Sequence, residues 1–271
     1  MRAAPMRAPV IWRAGPVVCV VLALTVAGVR HGAASVPASA TAARAPGAAA
    51  PDGRDLFVTG CSGCHGLDGK GLNAPDGTRR GPDLTHAGEA GAYFYLSTGR
   101  MPMADPTQQP VRKDPAYPPA EIQALVRYVG SLGDGPAVPP VDATKGDLAA
   151  GGELYRAQCA ACHSATGSGG ALSYGRAAPS LHRATPQQIA AAVRIGPGQM
   201  PVFSTTAISP TELDGLVRYV TYLRHPDDRG GVSLGGFGPV PEGFLIWVLG
   251  IGLLLGASGW IAHRVRRQGS A

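Results

Sequence analysis

Two five-residue stretches hold the chemistry of this chain, Cys61-Ser62-Gly63-Cys64-His65 and Cys159-Ala160-Ala161-Cys162-His163. Two thiols three positions apart, followed at once by an imidazole, is the spacing of covalent c-type haem attachment. The sulfurs bond the porphyrin edge, and the histidine reaches the iron from one face. Four thiolates could instead close around zinc, but zinc has no need of a histidine directly after both second cysteines. A thioredoxin-like redox pair would sit in a βαβ pattern, and neither flank shows one. The copies stand 98 residues apart with matching flanks, so two covalently bound haem c groups are expected. The fifth cysteine, Cys19, has no partner left, which excludes a disulfide framework.

His65 and His163 are the expected fifth ligands, and the sixth must come from elsewhere. Met101 and Met200 each sit in a Gly-x-Met-Pro turn, Gly99-Arg100-Met101-Pro102 and Gly198-Gln199-Met200-Pro201. A thioether is a poor surface group but a good soft ligand for haem iron. Met103 competes with Met101. With both axial positions filled there is no open site for substrate, which points to electron transfer rather than peroxide or oxygen chemistry, and no catalytic residue is assigned. The carbonyls of Pro82 and Pro179 are candidates to accept the ring N–H of the ligating histidines. His86 and His182 lie just after them. Either could touch a haem propionate or replace a methionine, although a histidine so placed is more often solvated.

The elements that must position these groups recur. Gly53-x-x-x-Phe57-x-x-x-Cys61 matches Gly151-x-x-x-Tyr155-x-x-x-Cys159, a helical spacing that leads into the haem loop. Gly81-Pro82-Asp83-Leu84 answers to Ala178-Pro179-Ser180-Leu181, and Leu125-Val126-Arg127-Tyr128-Val129 to Leu216-Val217-Arg218-Tyr219-Val220. With the methionine turns, these landmarks recur in the same order, as in a duplicated domain of about 90 residues. Thr185-Pro186 with Gln188, and Ser209-Pro210 with Glu212, are helix starts of capping-box form. A closing helix of the first copy is expected from about Pro119 to Leu132. The fold class is therefore mainly α: a first domain over 51–133, a Pro/Gly-rich linker over 134–145, and a second domain over 146–229. A linker over 230–243, with six glycines and two prolines, reads as irregular.

The net charge of +6 misleads. Residues 51–243 hold all 18 acidic and 16 of the 24 basic residues, so the body is slightly acidic. The other eight arginines flank the terminal apolar segments, so the charge reports membrane topology rather than a nucleic-acid surface. Phe244 to Ala262 is an uncharged run of 19 residues, which as a helix rises ~28 Å and spans a bilayer. Arg264, Arg266 and Arg267 follow it, placing the 263–271 tail in the cytoplasm and the body outside. At the other end, 1–40 has a basic stretch and then the apolar Gly15–Val29, the form of a signal peptide or of an uncleaved anchor helix. Both send the body across the membrane, the side where such haems are attached.

The ordered set resembles the dihaem cytochrome c subunit of the actinobacterial-type cytochrome bc1 complex. The resemblance rests on both haem motifs, on Tyr93–Met101 (YFYLSTGRM) with Pro102, and on Gly169-Gly-Ala-Leu-Ser173. The pre-anchor Gly235-Gly-Phe-Gly-Pro239 with Glu242-Gly243, before a single C-terminal helix, completes it. It implies two tandem class I cytochrome c domains on a C-terminal transmembrane helix, in the plasma membrane. It also implies partners: a cytochrome b subunit, a Rieske iron–sulfur donor and a cytochrome c oxidase acceptor. Electrons from quinol, of a menaquinol type, would pass haem to haem without a soluble carrier. Competing readings are a dihaem subunit of a terminal oxidase, usually anchored N-terminally, a dihaem peroxidase, which needs one reachable sixth site, and an assembly factor with non-functional haems.

Overall fold

The computed structural model describes residues 51–227 and 239–268. The N-terminal signal or anchor segment, and most of the second linker, lie outside the described residues.

Each repeat opens on a helix that runs into its haem loop. In the first, α1 (Gly53–Gly60) starts where Asp52 Oδ1 accepts the amide of Arg54, and α2 (Ser62–His65) is one turn carrying the second cysteine and the histidine. Two short strands, β1 (Leu72–Asn73) and β2 (Arg79–Gly81), pair antiparallel with Leu72 opposite Gly81. Helices α3 (Gly88–Ser97) and α4 (Pro119–Gly130) complete the domain. The second repeat follows the same order: α5 (Leu148–Gln158), α6 (Ala160–His163), β3 (Gly170–Ala171), β4 (Ala177–Ala178), α7 (Pro186–Ile195) and α8 (Pro210–Tyr222). Both expected capping boxes are formed, Thr185 with Gln188 and Ser209 with Glu212.

The conserved pattern within the chain has a packing cause. The first helix of each repeat crosses the last so closely that a side chain on Gly53 would collide with the carbonyl of Ala124, and one on Gly151 with the carbonyl of Gly215. Four residues on, Phe57 and Tyr155 are fully buried, each in its own core. Leu125, Val126 and Val129 of α4 close the first core, and Leu213, Leu216, Val217 and Val220 of α8 close the second. Each haem thus has a small separate core to fold against, as befits domains too short to enclose a large one of side chains alone.

The linker is not a slack tether. The Pro136 carbonyl accepts the amide of Ala90 at 2.9 Å, Gln187 Nε2 donates to the Pro139 carbonyl at 2.6 Å, and the Asp142 amide donates to Asp214 Oδ1 at 2.8 Å. The two equivalent helices α3 and α7 then pack on each other, with Ala90 and Phe94 against Ala191 in a third buried cluster.

The final helix, α9, runs from Pro239 to Gln268, longer than expected at both ends. Its first turn lies in the segment read as irregular. Proline there costs little, because first-turn amides have no helical acceptor and the ring presets φ. At the far end the helix carries Arg264, Arg266 and Arg267 rather than releasing them as a tail. Gly243–Gln268 is long and apolar enough to cross a membrane, and none of its apolar window is buried within this chain.

Candidate haem sites

The short ribbon in each repeat aims one carbonyl at one imidazole. In the first, the Gly71 amide donates to the His65 carbonyl and the Leu84 amide to the Gly69 carbonyl, both at 2.7 Å. In the second, Gly169 and Leu181 repeat this with His163 and Gly167, at 2.9 and 2.8 Å. Gly71 and Gly169 take φ of 83° and 89°, and a side chain on either would strike the backbone before Pro82 or Pro179. These glycines let the chain fold back so that His65 Nδ1 lies 2.9 Å from the Pro82 carbonyl and His163 Nδ1 lies 3.0 Å from that of Pro179. A carbonyl only accepts, so each Nδ1 carries the proton and each Nε2 keeps its lone pair. Burial holds His163 below the ordinary histidine range, with the Pro179 carbonyl opposing, which favours the neutral ring a metal requires.

Cys61 and Cys159 are half-buried, whereas Cys64 and Cys162 are exposed. Before haem attachment, burial pushes the Cys61 thiol up and that of Cys159 to about 11, with the neighbouring cysteine adding to each. These two thiols therefore favour the protonated form.

Met101 packs against the same core as Cys61, Leu84 and Tyr117. Met200 does so with Cys159, Leu181 and Phe203. Met103 is half-buried but lies outside that cluster. Each repeat therefore sets its first cysteine and its methionine on one apolar core, with the second cysteine and the N–H-anchored imidazole in the adjoining one-turn helix, a donor set that fits haem c. His86 is exposed. His182 departs from the solvated histidine expected: it is half-buried, with Nε2 2.8 Å from the Thr166 carbonyl, because the turn after His163 brings that carbonyl back beneath it.

Sequence reasoning missed the groups that join the repeats. Gln188 is buried at 5% exposure. Its Oε1 accepts from Arg112 Nη2 at 2.7 Å and from the Thr185 amide, while Nε2 donates to the Ser97 carbonyl and hydroxyl at 3.1 and 3.2 Å. Gln109 pairs with Ala177, its Nε2 donating to the carbonyl at 2.7 Å and its Oε1 accepting from the amide at 3.1 Å. The capping role of Gln188 was legible, but nothing in its local sequence signals a partner 91 residues away.

Two mainly helical repeats, each with a C-x-x-C-H loop on its own core, define a dihaem cytochrome c. Residues 50–133 match the family model described as cytochrome c, and residues 146–220 match that of cytochrome c oxidase, cbb3-type, subunit III. Over nearly its whole length the chain is similar to proteins named cytochrome bc1 complex cytochrome c subunit. Identity is 40% to those of Mycobacterium bovis (91% of this chain, 90% of the relative) and Mycobacterium leprae (90% and 86%). It is 37% to that of Corynebacterium efficiens (83% and 80%). The chain belongs to this family of cytochrome c subunits. With its exposed apolar helix, it is membrane-associated.

Proposed function

We propose that this chain is the membrane-anchored electron carrier of a quinol–cytochrome c reductase, taking electrons from a Rieske iron–sulfur partner beside cytochrome b and delivering them to a cytochrome c oxidase. The reductase as a whole would be a translocase. The observation that carries the reading is the doubling of one donor set within a single packed body, in a chain whose relatives are named as subunits of that complex.

When bound, haem iron supplies a one-electron couple at each site. Cys61 and Cys64, or Cys159 and Cys162, would hold the porphyrin covalently, and His65 and His163 would offer Nε2 to the metal. Met101 and Met200 would supply thioethers as the further ligands, which would raise the potential relative to a second imidazole. Pro82 and Pro179 hold the imidazoles in orientation and tautomer through their carbonyls. With a histidine and a methionine both holding the metal, these residues would move charge and do no bond chemistry. The arginines near the end of α9 set the body on the extracytoplasmic side, by the excess of positive residues on cytoplasmic ends.

The match of the second repeat to an oxidase subunit model favours the second reading, a subunit of a terminal oxidase. The relatives that span both repeats and the C-terminal helix weigh against it. Purification through a tag on this chain in mild detergent separates the two. Cytochrome b and a Rieske protein are expected to accompany it, with oxidase subunits attached. Oxidase subunits alone would move the assignment to the second reading, and a free monomer would refute both.

A further inference from the structure

Arg100, beside Met101, is only 7% exposed, yet its Nη1 has no hydrogen-bond partner. Its guanidinium lies over the Phe94 ring, 4.9 Å from the centroid, and that ring belongs to the α3–α7 junction. A guanidinium stacked on a ring still presents its N–H edge to an acceptor. A second arginine, Arg112, is half-buried and pinned to Gln188 of the second repeat at 2.7 Å, and its charge adds to the burial that disfavours the charge of Arg100. The ion pairs among the described residues are Lys70–Asp68 and Lys145–Asp142, so no carboxylate there answers this pair. A buried cation with a like-charged neighbour is unfavourable unless an anion joins it.

The repeats differ at this position. The counterpart of Arg100 is Gln199, neutral and exposed, before Met200. Whatever anion Arg100 meets is thus specific to the junction and not a general need of the fold. The haem groups bring carboxylates of their own, as propionates. We infer that Arg100, with Arg112 supporting it, is a carboxylate site for a haem propionate at the junction of the two domains. The haem is the one bound through Met101, since Arg100 adjoins that residue. The cations offset the propionate's charge and so favour the reduced state of that haem. The inference rests on the haem placement proposed above, and the ligation spectrum tests that placement separately.

The test is a spectroelectrochemical titration of both haems in the intact, detergent-solubilised holoprotein carrying R100Q, R100K or R112Q. R100Q is expected to shift one haem's oxidised-to-reduced equilibrium about tenfold toward the oxidised form, or ~59 mV for one electron. The methionine–iron absorption band should remain, and R100K should retain most of the wild-type value. The shift is expected in the haem whose ligation M101A disrupts, and a shift confined to the other haem overturns the assignment. If R100Q does not assemble, R112Q should move the same haem in the same direction by about twofold or more. No change in either haem overturns the proposal. So does an equal effect of R100K and R100Q, or loss of the methionine band in R100Q, since each would show packing rather than charge.

Discussion

Methionine in a Gly-x-Met-Pro turn would have little reason to face the core of a small domain unless its sulfur were used. Both Met101 and Met200 line the core that also holds the first cysteine of their repeat, and Met103 does not. M101A and M200A are each expected to abolish the methionine–iron band of one haem and to lower that haem's potential, while M103A leaves both unchanged. Magnetic circular dichroism with redox titration of the holoprotein checks this. An altered first haem in M103A, with M101A silent, would reassign the ligand. The histidine side is built differently. His65 and His163 are held by backbone carbonyls that no substitution can remove, so the ribbon glycines carry that constraint in their place.

Among the elements, the helix starts are the clearest case of local sequence deciding local structure. Ser209 Oγ accepts the Glu212 amide, and the Glu212 carboxylate accepts the Ser209 amide and hydroxyl. Those bonds hold the carboxyl of Glu212 below the usual range. S209A is expected to cost about 1 kcal/mol at neutral pH in thermal unfolding of the holoprotein. A depressed carboxylate contributes fully above its ordinary value and ceases to contribute as pH falls through the depressed one. The gap between S209A and wild type should therefore narrow on acidification, and a gap that widened in acid would contradict the capping account. Proline placement was legible at α4, α7 and α8 but misleading at α9. Pro239 and Pro241 read as breakers in a glycine-rich stretch, yet they occupy a first turn where no amide is needed.

At the scale of the molecule, the repeats form one body through a buried amide. Gln188 satisfies its own helix cap, Arg112 and Ser97 together, so Q188A would strand polar groups from both domains in a dry junction. A loss of about 1–3 kcal/mol is expected. Because the groups belong to different domains, calorimetry of the holoprotein should show the unfolding of the two domains separating into two transitions. A single transition at the wild-type temperature would mean that the linker and the α3–α7 contact suffice without this residue. A fixed junction matters to a carrier because it keeps the two redox sites at one separation through each turnover.

Much of this protein is legible in its one-dimensional pattern, since haem c chemistry is local. Cys61, Cys64 and His65 must be sequence neighbours to grip one porphyrin, and duplication makes each landmark visible twice. The long apolar run shows itself for a similar reason, because crossing a bilayer demands consecutive residues. The junction is another matter. The meeting of α3 with α7, the reach of Gln188 to Ser97 and the bond from Arg112 to Gln188 join residues tens of positions apart in the chain. Only three-dimensional packing brings them together. No periodicity or spacing rule connects such residues, since burial and charge compensation act through space and are settled by which surfaces close against each other.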